Sequence, residues 1–407
     1  MSYPSNSSTQ QHSSSIFPPP NFSLILFLFF TGRLMVLMAF PPENLIFYGD
    51  YQHYFNLAGM TRLGYYPFIH YWYEFPPIFP YLNIGVYMLA GQQLKNYIVI
   101  LAFVLLIVEC GNLYLLYRLA LSLFGPGRAE QIAWIYTALF TPIFFWLGNF
   151  DALTTFFILL ALYSLLQNKN KLLTLTLGLG AMVKFLPAVL LATVWRARGW
   201  KVVLLYVVTT VLISLVIFGV FALVNPAMTL ASLQAQASKS SYETFWALMD
   251  GNTTTGNFGP LTDHFDPAKA TQPLNNPARL PSWLTLILFG ILGWFILTRP
   301  RALTDLKFDA VVFTTLTFII FCLWSPGWSP QWQTFLIPLL LLALPEKRAV
   351  LLIIVLGFIN FLEWPVMLSR GLNQLLSITI IARTLVFVLL AYQLYHILVV
   401  KRLVKPG

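Results

Sequence analysis

Long apolar runs recur along this chain of 407 residues and constrain its fold more than any other feature. They fall at residues 22–40, 96–123, 131–147, 151–167, 172–195, 201–224, 282–298, 309–324, 331–345, 348–366 and 375–400. In lipid only helices and closed barrels satisfy their own backbone, and a helix of roughly 20 apolar residues crosses the hydrocarbon. The expectation is an all-α polytopic transmembrane helical bundle with about 10–12 membrane segments. A soluble core of this size would need far more charge than the 9% present beside 58% apolar residues. A shorter run, 78–91, does not reach across and reads as an interfacial or re-entrant helix.

Residues 1–21 are rich in Ser, Gln and Pro, carry no charge and have no apolar face, so they are expected to be a disordered tail. No basic stretch precedes Phe22, which argues for a retained first helix, ended by Pro41 and Pro42, over a cleaved signal peptide. Residues 22–400 then make one transmembrane domain, with a first outer loop at 41–80, a long outer loop at 225–281 and a short basic tail at 401–407. Cys110 and Cys322 both lie inside apolar runs and read as small buried hydrophobes. The net charge of +10 is scattered in twos and threes between the runs, which is the pattern of the positive-inside rule and not of a nucleic-acid surface.

With the amino terminus inside, Arg118, Arg128, Lys169, Lys171, Arg299, Arg301, Lys307, Lys347, Arg348, Lys401, Arg402 and Lys405 all fall on the cytoplasmic side. Residues 172–195 break the pattern, because a full crossing would put Arg196, Arg198 and Lys201 outside. A segment that enters and returns, broken around Gly178, Gly180, Lys184 and Pro187, repairs the topology. A full span kinked at Pro187 with a snorkelling Lys184 is the alternative. In the re-entrant arrangement 41–80, the turn at 148–151, 225–281, 325–330 and 367–373 share one compartment.

The densest polar chemistry lies at 48–80, reading YGDYQHYFNLAGMTRLGYYPFIHYWYEFPPIFP, with Asp50, His53, His70 and Glu74 among Tyr, Trp and Pro. Arg33, Glu109, Lys184, Glu363 and Arg383 lie within apolar runs, where charge is costly, so they should line the bundle interior or pair. Glu109 and Arg383 read as structural. Asp50 is either a carboxylate base or an N-cap of a helix starting near Tyr54. Asp151 is an N-cap or an acceptor contact, and Lys184 is a phosphate ligand or a paired lysine. The aromatic residues of 48–80 suit sugar stacking but also an interfacial belt. His70 has no supporting spacing. The loop at 225–281, with Tyr242, Glu243, Trp246, Asp250, Asp263, His264 and Asp266, is long enough to be a lid or to be disordered. The sequence holds no HExxH, no paired Cys, no phosphate-cradling glycine loop and no internal repeat.

Four stretches in this order resemble the GT-C superfamily of integral membrane glycosyltransferases: YGDYQHY with GYYPFIHYWYEFPPIFPYL, GNFDAL at 148–153, GLG with MVKFLP at 178–187, and WSPQW at 328–332. They are similar to polyprenol-phosphate-mannose-dependent mannosyltransferases of bacteria and to the catalytic subunit of GPI mannosyltransferase I. The resemblance implies a hexose, most simply mannose, carried on a polyprenyl phosphate and transferred with inversion to a lipid, glycan or protein acceptor on the non-cytoplasmic face, as in the plasma membrane of a prokaryote. It makes Asp50 the candidate general base. Lys184, Arg33 and His53 are donor-phosphate candidates, and Tyr48, Gln52, Glu74, Asp151, Ser329 and Gln331 are sugar or acceptor candidates. Some members carry a DxD-like pair with a divalent metal. Here Gln52 replaces the second Asp, which argues against a metal, and no cofactor is otherwise implied. A polytopic transporter or lipid flippase is the competing class, although such folds show matching broken halves and this chain shows one break and unequal outer loops. A non-catalytic assembly partner is the third.

Overall fold

The computed structural model describes residues 20–256, 259–272 and 274–400. The expected disordered tail, apart from its last residues, and the basic tail at 401–407 lie outside the described residues. The described residues are helical, as the long apolar runs require, with two isolated bridges among them. Helices α1 (Pro20–Ala39), α2 (Tyr51–Gly59), α3 (Ile78–Leu89) and α4 (Leu94–Phe124) are followed by α5 (Pro126–Ala138) and α6 (Asp151–Leu166). Then come α7 (Asn170–Val183), α8 (Leu191–Arg198), α9 (Trp200–Val224) and α10 (Pro226–Ser238). Five more complete the chain: α11 (Ser282–Thr298), α12 (Leu306–Trp324), α13 (Gln333–Ala343), α14 (Glu346–Phe361) and α15 (Leu376–Val399).

Six described stretches, 21–39, 94–124, 200–224, 306–324, 346–370 and 373–399, are long and apolar enough to cross a membrane. The protein is an integral, multi-pass, all-α bundle. Of the other expected segments, α6 and α11 fill their runs but have only 16 and 17 residues, and two others lose residues to turns. The run at 131–147 breaks at Leu139, whose extended backbone separates α5 from the short helix Phe140–Phe145. The run at 331–345 opens with a 3-10 turn, Pro330–Trp332, before α13.

The segment at 172–195 returns on itself. Helix α7 stops at Val183, Lys184 is extended, and a 3-10 stretch Leu186–Leu190 leads into α8. Proline at 187 has no N–H to give the carbonyl of Val183, so the helix cannot continue through it. The two ends meet: Arg198 donates to Asn170 Oδ1 at 2.7 Å and to the Leu165 carbonyl at 3.2 Å. A Cβ at Gly180 would stand 3.0 Å from both Phe157 and Pro187, so glycine lets the hairpin lie against α6. At this far end of the bundle Arg196 grips Asp309 with two bonds, 2.8 and 2.9 Å, and Arg128 pairs with Glu346.

At the opposite end the long loop at 225–281 is folded onto the first one. Asn225 donates to the Ile69 carbonyl at 2.8 Å, the Tyr73 N–H to Ser232 Oγ at 3.0 Å, and the Trp72 N–H to the His264 carbonyl at 2.9 Å. Helix α10 is capped by the Asn225 side chain, which accepts from the Met228 N–H. The two loops together roof one end of the bundle.

Candidate functional site

Beneath that roof lies a cavity of about 450 Å³, inside the ~300–1,000 Å³ range of small-molecule sites. Six stretches build it, at 47–75, 149–151, Lys184, 236–264, 329–332 and 364–368. A glycine crossing brings the first two together. The Asp50 N–H donates to the Gly148 carbonyl at 3.1 Å. A Cβ on Gly49 would stand 2.7 Å from the Gly148 backbone, and one on Gly148 would stand 2.7 Å from the Tyr51 ring. Gly148 also has φ +66°, a conformation that favours glycine. The crossing leaves Asp50 and Asp151 on the wall of one chamber.

Asp50 occupies the N-cap position of α2 without capping it by its side chain. Its carboxylate is open to the cavity and accepts from the Tyr54 phenol at 3.2 Å. Desolvation by the surrounding protein raises its proton affinity above the ordinary carboxylate range. His53 opposes that rise and Glu74 adds to it. The Tyr54 phenol is itself pushed up by burial and then by Asp50, so it stays a donor.

Asp151 does not cap α6 either. It is buried and takes Lys184 Nζ at 2.7 Å, the lysine being delivered by the turn of the α7–α8 hairpin. The Lys184 ammonium also lies over the rings of Phe75, Phe150 and Trp332, 5.8, 5.4 and 5.1 Å from their centroids. A second pair, Lys239 Nζ to Glu74 Oε2 at 3.2 Å, joins the long loop to the first loop. Burial works against the Lys239 charge, but Glu74 and Tyr242 outweigh it and hold its pKa above the ordinary lysine value.

Tyr242 anchors the long loop to the stretch at 325–329. Its N–H donates to the Pro326 carbonyl and its carbonyl accepts from the Trp328 N–H, both at 3.1 Å. Its ring fills the space where Gly256 and Gly327 have no side chain. His264 stacks on Trp72 with centroids 4.0 Å apart, and its Nδ1 lies 2.9 Å from the Trp72 carbonyl. That contact places the proton on Nδ1. Burial lowers the pKa of the ring, so it is neutral.

Of the residues singled out in the sequence, Asp50, His53, Glu74, Asp151, Lys184, Ser329 and Gln331 all line this cavity. Arg33 and Gln52 are not brought to it. Arg33 is buried in α1 against the Phe29 ring, in the same layer as Glu109, which accepts from Asn112 at 2.8 Å and from Tyr136 at 3.0 Å. Gln52 stands two residues past Asp50, about 200° around the helix, and donates to Asn56 on the exposed surface. The side chain of Tyr48 lies outside what is described. Lys239 was missed. The available signal was a lone lysine next to Tyr242 and Glu243 on the side expected to be poor in basic residues.

The model of glycosyltransferase family 87 matches residues 84–326. That span carries the cavity wall from Asn149 to His264, with Asp50 and Glu74 before it and Ser329 and Gln331 after it. No curated protein and no solved structure matches the chain.

Proposed function

The chain belongs to glycosyltransferase family 87 and is a membrane glycosyltransferase, and from that premise we propose that it moves a hexose, mannose in the first instance, from a polyprenyl phosphate to an acceptor hydroxyl. Asp50 is the base. The acceptor oxygen attacks the anomeric carbon as the bond from that carbon to the phosphate oxygen breaks, its electron pair leaving with the phosphate. The acceptor proton goes to Asp50, and attack opposite the leaving group inverts the centre.

The observation that carries this reading is the state of Asp50 among its neighbours. Glu74 and Asp151 are each matched by a lysine, while Asp50 faces the cavity with a phenol as its side-chain donor. A carboxylate of raised proton affinity, open to substrate, suits general-base work. Lys184 and Lys239 supply positive charge for the departing phosphate. The far end of the bundle carries Arg128, Arg196, Arg198 and Arg301, which supports a cytoplasmic location for that end and a non-cytoplasmic one for the cavity.

The test is transfer from synthetic polyprenyl-phosphate mannose, with glucose and arabinose carriers alongside, by purified protein in lipid nanodiscs. Asp50→Asn should lose roughly 10²–10⁴-fold in rate while inserting and eluting as the parent does. Near-parental turnover by that variant would remove Asp50 from its role, and a preference for a different carrier sugar would correct the substrate.

A further inference from the structure

Glu243 stands on the wall of the same cavity, and its surroundings are unlike those of the other carboxylates there. The residue is 3% exposed and held at φ +52°, a conformation few non-glycine residues adopt. Its carbonyl accepts from Arg383 Nη2, and the bridge between Tyr242 and Gly327 fixes the residue before it. Among the described residues its side chain has no lysine ion pair of the kind that Glu74 and Asp151 have.

What it meets is a second carboxyl. Glu363 is fully buried and takes Arg383 Nη1 on Oε1 at 2.6 Å. Glu243 Oε2 and Glu363 Oε2 are both buried and receive no N–H or O–H among the described residues, and Arg383 ties the two residues together, with Nη1 on the Glu363 carboxylate and Nη2 on the Glu243 carbonyl. One guanidinium offsets one carboxylate, and it bonds that of Glu363 directly while reaching Glu243 only at its carbonyl, so Glu243 is the carboxyl that a buried site leaves with a proton. Burial raises the proton affinity of Glu243 well above the carboxylate range and Glu363 raises it further, while Arg383 and the more distant Lys239 pull the other way.

The charges of the chamber give that proton a use. With Lys184 matched by Asp151 and Lys239 by Glu74, an ionised Asp50 already leaves the wall one negative charge in excess, and a second bare carboxylate would repel a phosphate. A protonated one attracts it. The Lys239 ammonium and the Tyr242 and Ser329 hydroxyls stand on the same side of the chamber as Glu243, so that side is a donor surface. We propose that Glu243 donates a hydrogen bond from its carboxyl group to a phosphate oxygen of the donor. This rests on the reading of the donor as a polyprenyl phosphate and adds the residue that recognises its charged end. Glu363 is a positioning residue, acting through Glu243.

Binding of undecaprenyl phosphate to the full chain in nanodiscs, followed across pH 5.5–9, tests the proposal, with inorganic phosphate as competitor to separate lipid-borne from free phosphate. The parent should lose affinity at alkaline pH as Glu243 gives up its proton. Glu243→Gln, which keeps a neutral donor, should lack that alkaline fall, and the titration of the phosphate itself cancels in the comparison. Glu243→Leu should bind about 10- to 100-fold more weakly at pH 6.5, the worth of a hydrogen bond to a charged group. Glu363→Gln should move the fall to lower pH, which a merely structural role would not do. A parental protein that binds no undecaprenyl phosphate at any pH overturns both this proposal and the assigned donor. Parental binding with an unaltered pH course in Glu243→Gln, or full affinity in Glu243→Leu, overturns the role of Glu243 alone.

Discussion

Replacing Lys184 by Met separates what this lysine does for the fold from what it does for the reaction. Asp151 and Lys184 are 3% and 15% exposed, with Oδ1 and Nζ 2.7 Å apart. Methionine keeps an unbranched apolar stem among Phe75, Phe150 and Trp332, so little packing is lost. What changes is that Asp151 keeps its charge without its partner. Removing one member of a buried pair costs about 3–5 kcal/mol, against ~0–1 kcal/mol for an exposed pair. Adding Asp151→Leu removes the stranded charge, and the double variant should return to within ~1 kcal/mol of the parent, as apolar replacements of buried pairs often do. Equilibrium unfolding in mixed micelles, followed by tryptophan fluorescence, measures all three proteins. Sugar transfer by the double variant should stay absent even though its stability returns, because the ammonium is still missing from the cavity. A loss below ~1 kcal/mol for Lys184→Met, or a double variant no more stable than the single, would refute the claim that the two side chains form a coupled buried pair.

Asp50→Asn should be more stable than the parent at pH 8. Because the folded protein raises the Asp50 pKa, the ionised form costs stability, and that cost grows as pH rises through the ordinary carboxylate range to the folded value. The advantage of Asn is therefore full above the folded pKa and gone below about pH 4. Thermal unfolding in detergent at the two pH values measures it, and a variant less stable than the parent at pH 8 would contradict the sign. Gly148→Ala forces a Cβ to within 2.7 Å of the Tyr51 ring at φ +66° and should cost ~1–3 kcal/mol. It should also slow transfer by shifting Asp50, whereas an alanine equally stable and active would mean that the crossing does not set the base.

Much of this was legible in the sequence because the bilayer leaves few options. Apolar run length announces helices, and the basic pairs sort their ends. The oddly placed Arg196 and Arg198 were enough to call for the hairpin that turns at Lys184. The motif residues Asp50, Asp151, Lys184, Ser329 and Gln331 were found because each stands beside a helix break, which sequence marks with Gly and Pro. Partnership was not legible. Nothing local says that Asp151 answers Lys184 or that Lys239 answers Glu74, since those pairs are made by tertiary approach across 33 and 165 residues. Arg33 misled for the opposite reason. Its depth in a helix was plain, but the direction in which it points depends on the packing of α1 against α4 and α5. Glu243 was visible only as a loop carboxylate, because what distinguishes it, Glu363 and Arg383, comes from two helices more than a hundred residues downstream.

The α7–α8 hairpin fixes how deep the chemistry sits. Fourteen residues of α7 raise Lys184 roughly 21 Å from the far end at ~1.5 Å per residue, about 9 Å short of a hydrocarbon slab ~30 Å thick. With the far end at one face of the bilayer, as the proposed orientation has it, the ammonium stands below the level of the opposite lipid surface, at the bottom of a well. In the proposed reaction a water-soluble acceptor would have to descend to it, and the lipid-borne phosphate would have to be drawn inward from its own headgroup plane. One turn added to or removed from each leg would change that depth by ~5 Å, so on the proposed reading the length of this short helix sets where donor and acceptor meet.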